Sequence, residues 1–230
     1  MRTGVCLSGR RRVLRLFFCV GYAMNDLLDR LQACIAARFP AMEADLNAGA
    51  SDAGIDTFER AIGRPLPPPL RALYRWHDGQ AGHAAPGLFF GLPFLPLSAA
   101  LAHWNSETAG ESVGDVSAYT CLPPGTIRQA AASRAWIPLA DDAGGAYLGV
   151  DLDPDAAGSA GQVITFGGRE FIRVQAGASL EHFLERLLGL YENGDYVLVE
   201  EDEDAFSLST VNPCTDHFLD YLRRKAQGAC

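Results

Sequence analysis

No run of about 18 apolar residues occurs anywhere in the chain, so the sequence offers no transmembrane helix. The six cysteines (Cys6, Cys19, Cys34, Cys121, Cys214 and Cys230) lie far apart and never form a C-x-x-C pair. That spacing excludes a zinc knuckle and a dense disulfide framework, and it fits reduced thiols in the cytoplasm. Basic residues are scarce, 19 Lys and Arg against 28 Asp and Glu, for a formal charge of −9. Most of such a surface repels a phosphate backbone, so nucleic acid is excluded as a ligand and a basic partner is favoured. Catalytic signatures are missing as well: there is no G-x-S-x-G elbow and no H-E-x-x-H, and the five histidines (His77, His83, His103, His182 and His217) stand at no ligand spacing. The chain is therefore read as a non-enzyme without metal or cofactor.

What is present is one ordinary domain's worth of sequence, 230 residues with an apolar fraction of 48%. Residues 1–23 differ from the rest, with five arginines (Arg2, Arg10, Arg11, Arg12 and Arg15) and no acid before Met24. Arg15 leaves an apolar stretch of only "LFFCVGYA", at the short end of the roughly 7 to 15 residues of a signal peptide, so the stretch reads as an over-extended start. The domain is expected over 24–230, its first helix capped by Asn25 and carrying Leu27, Leu28, Leu31 and Ile35 on one face. Two short helices follow, one capped near Ser51 with Ile55, Phe58 and Ile62 inward, the other opening at Pro67 to Pro69 and closing at Gly79. "GLFFGLPFLPLS" is broken by Pro93 and Pro96 and offers at most a short strand at Leu88 to Phe90, after which Ser98 is expected to cap a helix. Glu111 to Ser133 loses all periodicity and reads as an excursion from the core. "AWIPLA", "AYLGVDL", "QVITF" and "EFIRVQ" are four strands, followed by a helix capped at Ser179, a strand running into the acidic "EEDED" at Glu200 to Asp204, and a closing helix with basic residues in its last turn. Strands in a meander with flanking helices make an α+β fold.

The densest chemistry is the aspartate-rich segment Trp136 to Phe166. Asp151, Asp153 and Asp155 match the opening ligand positions of a calcium loop, but Ala156 stands where the turn glycine belongs and Gln162 where the closing carboxylate belongs. "ADDAGGAY" lacks the lysine of a phosphate loop. Asp141 and Asp142 are neighbours on an extended chain and point to opposite faces, so turn formation suits them better than acid–base work.

"IDTFERAIGRPLPPPLRALYRWHDG", then "WIPLADDAGGAYLGVDLDPDAAGSAGQVITF", then "SLEHFLERLLGLYENGDY" occur in an order that resembles the SUKH superfamily, in the branch related to the fungal Smi and Knr cell-wall regulators. The resemblance rests on Ile55, Phe58 and Glu59, on Leu66 and Pro67, on His77 to Gly79, on Trp136, Ile137 and Pro138, and on the Asp142 to Gly145 turn with the Leu148 to Asp151 strand. It implies a single curved mixed or antiparallel sheet of about four to six strands flanked by helices. It also implies a bacterial immunity protein of the toxin–antitoxin kind, binding and neutralising a cognate basic toxin; the alternative is a regulatory scaffold of the Smi and Knr type that binds a protein partner. The expected binding surface is acidic and aromatic, formed by Trp76, Asp78, Asp141, Asp142, Asp151 and Asp153.

Overall fold

The structure is a computed structural model that describes the backbone of residues 9–82, 86–109, 116–202, 205–211 and 217–228, with side chains except those of 9–23 and 200–206. The "EEDED" side chains, His83 and residues 111–115 of the expected excursion lie outside these residues.

The first helix, α1 (Gly9–Arg38), runs straight through Asn25, which therefore caps nothing. Its only interior glycine is Gly21 and it holds no proline, so nothing in the stretch stops a helix. The expected face is right: Leu27, Leu28, Leu31 and Ile35 are buried, joined by Met24. After α2 (Pro40–Asp45), helix α3 (Asp52–Ile62) opens on Ser51, whose Oγ accepts the Gly54 N–H at 3.1 Å, and closes on Gly63 at φ 74°. Helix α4 (Pro68–Trp76) buries Leu70, Leu73 and Tyr74 and is tied to α3 by Glu59, which accepts from the Leu66 N–H and from Arg71.

"GLFFGLPF" forms a buried turn where a short strand was expected. Leu88, Phe89 and Phe90 are fully buried, and Phe90 sits at φ 57°. Such a loop survives inside a protein only if its backbone groups find partners. Gln80 Oε1 accepts the N–H groups of Leu88 and Phe94, while the Tyr191 hydroxyl donates to Leu88 O at 2.6 Å and accepts from the Phe90 N–H. Helix α5 (Leu97–Thr108) follows, starting one residue before Ser98 and without a side-chain cap of its own.

Strands β1 (Thr120–Leu122), β2 (Trp136–Asp141), β3 (Tyr147–Asp151), β4 (Gln162–Phe166) and β5 (Ile172–Gly177) form one sheet in the order β1-β5-β4-β3-β2. β2 to β5 are the expected antiparallel meander; β1 joins the edge parallel to β5. The expected excursion thus supplies a strand and the buried Ile127. Strand periodicity divides the side chains. Ile137, Leu139, Leu148, Val150, Val163 and Val174 enter the main core beneath the helices, while Trp136, Tyr147, Ile164 and Phe166 join Cys121 and Ile127 in a second core on the opposite face.

Helix α6 (Leu180–Asn193), capped by Ser179 and closed by Gly194, packs on α1 and β5. The acidic C-terminal segment is a two-stranded ribbon, β6 (Tyr196–Asp202) with β7 (Ala205–Thr210), in place of one strand. Helix α7 (Phe218–Ala226) then lies across β5, its last turn carrying Arg223, Arg224 and Lys225. The architecture is a mixed α+β domain. Among the described residues no helix is long and apolar enough to cross a membrane.

Candidate functional site

The hairpin β2–β3 decides where the aspartates stand. Its register pairs Asp141 with Tyr147 at one end and Trp136 with Asp151 at the other. Five residues of strand separate the ends by about 16 Å. The structure therefore does not gather the expected acidic surface, and most of its members have local work. Asp142 Oδ1 accepts the N–H groups of Gly144 (2.7 Å) and Ala146 (2.9 Å), closing a turn in which Ala143 sits at φ 54°. Asp141 lies 3.5 Å from His103 Nε2 on α5, and His103 Nδ1 is 3.2 Å from the Tyr147 hydroxyl, which burial pushes up to about 12.

At the far end Asp151 is fully buried, so it belongs to no surface. Its Oδ1 accepts the Asp153 N–H and its Oδ2 accepts from Gln162 Nε2, and burial raises its pKa. Gln162 completes the network: Nε2 also donates to Thr126 O, while Oε1 accepts from Ser159 N–H and Gln175 Nε2. The position that a calcium loop would fill with a carboxylate is here the hub of a buried hydrogen-bond network joining β3, β4 and β5. Asp153, exposed, pairs with Arg128 at 3.0 Å.

The "HDG" triplet after α4 is architectural. His77 bridges the Asn47 carbonyl and Gln32. Asp78 Oδ1 accepts the Leu97 N–H at 2.8 Å, supplying from a distance of 19 residues the cap that α5 lacks. Gly79 has φ 70°, and a Cβ there would lie 2.2 Å from Pro96 N. Trp76 is half-buried against the main core, edge-on to His77. Asp78→Ala is expected to cost about 1 kcal/mol, the value of a helix cap, read as a lower urea midpoint at unchanged slope.

Sequence reasoning missed a concave surface, a trough between α6 and α7 floored by β5. Phe183, Leu187, Leu190, Phe218 and Leu222 line it, and Ala176, Arg186, Leu222 and Lys225 are shared by its two depressions of about 180 Å³ each. Arg186 donates to Ala176 O, and Lys225, the chain's single lysine, donates to the Tyr221 hydroxyl. Neither Asp nor Glu lines the trough among the described residues, so its rim is cationic on a chain of charge −9. The signals that could have found it are Gly189 inside a leucine-rich helix and the basic end of α7. Among the described residues, no group of three or more His, Cys, Asp or Glu is placed to hold a metal ion.

Against this geometry, a model of the SMI1 / KNR4 family (SUKH-1) matches residues 49–186, more than half of the chain. The chain is 31% identical over 195 residues to the "Cell wall biosynthesis/cell cycle regulator smi1" of Schizosaccharomyces pombe, covering 79% of the chain and 38% of that protein. Similarity extends to the "Cell wall assembly regulator SMI1" of Saccharomyces cerevisiae, 27% identical, covering 71% of the chain and 40% of that protein. A "Glucan synthesis regulatory protein" of Neurospora crassa is 26% identical, with 74% and 38% covered. The chain spans about two-fifths of the length of these curated relatives. Fungal regulators in this position overturn the expected bacterial immunity protein, its toxin–antitoxin role and its cognate toxin partner, and they favour the regulatory alternative.

Proposed function

The chain belongs to the SMI1/KNR4 (SUKH-1) family, and from that premise we propose that it is a non-catalytic regulatory protein of the Smi and Knr type, acting in the cytoplasm through residues 24–230 by binding a protein partner in cell-wall or signalling control. The observation that carries this reading is the kinship with proteins named as regulators of cell-wall assembly and glucan synthesis. The disposition of the polar groups supports it: Asp78, Asp142 and Asp151 are spent on a cap, a turn and a buried network, while the trough between α6 and α7 is a largely apolar concave surface suited to side chains of another protein. Affinity capture with the full chain, followed by titration calorimetry against each purified candidate, tests it. A direct complex with dissociation constant in the micromolar range or tighter is expected. Saturable turnover of a small substrate, abolished by Asp141→Asn with Asp142→Asn, would overturn it.

A further inference from the structure

The trough between α6 and α7 combines three features. Its floor is apolar and its rim carries Arg186 and Lys225 with no lining carboxylate among the described residues, although acids outnumber bases 28 to 19 over the chain. Each depression, at about 180 Å³, is smaller than the roughly 300 to 1,000 Å³ of a site for a whole small ligand, and so fits single side chains. The third feature is Gly189. It stands inside α6, where glycine is disfavoured by about 1 kcal/mol relative to alanine, yet a Cβ built there meets nothing within 4 Å. Among the described residues no neighbour demands that glycine. What its absent side chain provides is bare helix backbone in the wall of the trough, open to close approach from outside.

We propose that this trough is the partner site of the regulatory reading above, on which the inference rests, and that it receives a short anionic segment of another protein. The segment seats apolar side chains in the two depressions, lies against the bare backbone at Gly189, and places carboxylates or phosphates beside Arg186 and Lys225. Charge complementarity chooses this occupant over a basic one. Helix α7 lies outside residues 49–186, those matched to the family.

The test uses fluorescein-labelled 15-residue peptides in three matched sets, each with two leucines four residues apart flanked by glutamate, phosphoserine or lysine, titrated against the full chain by anisotropy. Glutamate or phosphoserine peptides should bind at least tenfold more tightly than their lysine counterparts, and the better of the two identifies the anion. Arg186→Glu with Lys225→Glu should reverse that order. Gly189→Leu should weaken anionic peptides at least tenfold while the melting temperature stays equal or rises, a combination that a merely structural glycine would not give. Binding indifferent to peptide charge, or unchanged in Gly189→Leu, overturns the proposal. So does sedimentation showing a dimer that the peptides dissociate, since a second copy would then be the occupant. A partner protein captured equally by wild type and Gly189→Leu would leave the regulatory reading standing and this site refuted; peptide binding without any protein partner would do the opposite.

Discussion

Arg173→Ala is expected to destabilise the fold by about 2 to 4 kcal/mol, the cost of two buried carbonyls left without a donor and of the void left behind. Arg173, on β5, is fully buried. No carboxylate among the described residues lies within ion-pair distance of it, and burial lowers its pKa. Its cost of burial is offset in two ways. The guanidinium lies over the rings of Tyr119 (3.8 Å) and Trp136 (4.7 Å), two cation–π contacts. Its two terminal nitrogens donate to the carbonyls of Ala130 and Ala131, charge-assisted bonds that hold the 119–131 segment over the second core. Alanine leaves both carbonyls without a donor and a void beside two rings. Arg173→Lys keeps the charge but loses the fork, so it should recover little; Arg173→Met restores volume alone and should fall between. Urea unfolding of the three variants at pH 7 ranks them. An alanine variant within 1 kcal/mol of wild type would show that the clamp is not what holds this segment.

The second large effect depends on pH. Glu170, in the turn before β5, is buried with its Oε1 3.7 Å from Arg223 Nε and without a hydrogen-bond partner among the described residues. Burial pushes its pKa up to about 7, helped by Asp142 and Asp220 and opposed by Arg223 and Arg173. In the unfolded chain the group titrates near its ordinary value of about 4.3. Between these values the folded state holds more protons than the unfolded one, so the contribution is fully present below about pH 4 and is lost as the pH rises through 7. Glu170→Gln removes that loss. Allowing for screening by the part-exposed Arg223, the variant should gain about 2 kcal/mol at pH 8, roughly 4 to 8 °C in melting temperature, and almost nothing at pH 4. Parallel melting curves for the two proteins from pH 4 to 8 would contradict this account.

Sequence alone carried the meander and most helices because their signals are local. Ser51 and Gly63 bracket α3, Ser179 and Gly194 bracket α6, and the runs at β2 to β4 are mostly apolar because the sheet is covered on both faces. What escaped depends on distant contacts. Three residues of β1 are too few to show a period, and only its neighbour β5 makes them a strand. The run at Leu88 to Phe90 is apolar because it is buried, and it is held as a turn by Gln80 and by Tyr191, 103 residues away from Leu88. The acidic surface failed for the same reason. Asp141 and Asp151 are close in sequence but at opposite ends of a hairpin, and Asp78 serves a helix that begins 19 residues later. The trough needs α6 and α7 together, which no local pattern announces. The superfamily was legible in the order of motifs, but a fold does not specify its occupation, and the choice between toxin immunity and regulation came from the relatives.

Lys225 gives these 230 residues a single ε-amine, and the fold sets it on the rim of the trough. Every modification of a lysine side chain here, whether acylation or an isopeptide bond, falls on that one nitrogen. Acetylation there would erase one of the two rim cations and leave Arg186 in place. A segment seated in the trough shields the same nitrogen, so its acylation rate is a direct gauge of occupancy in the unmutated protein.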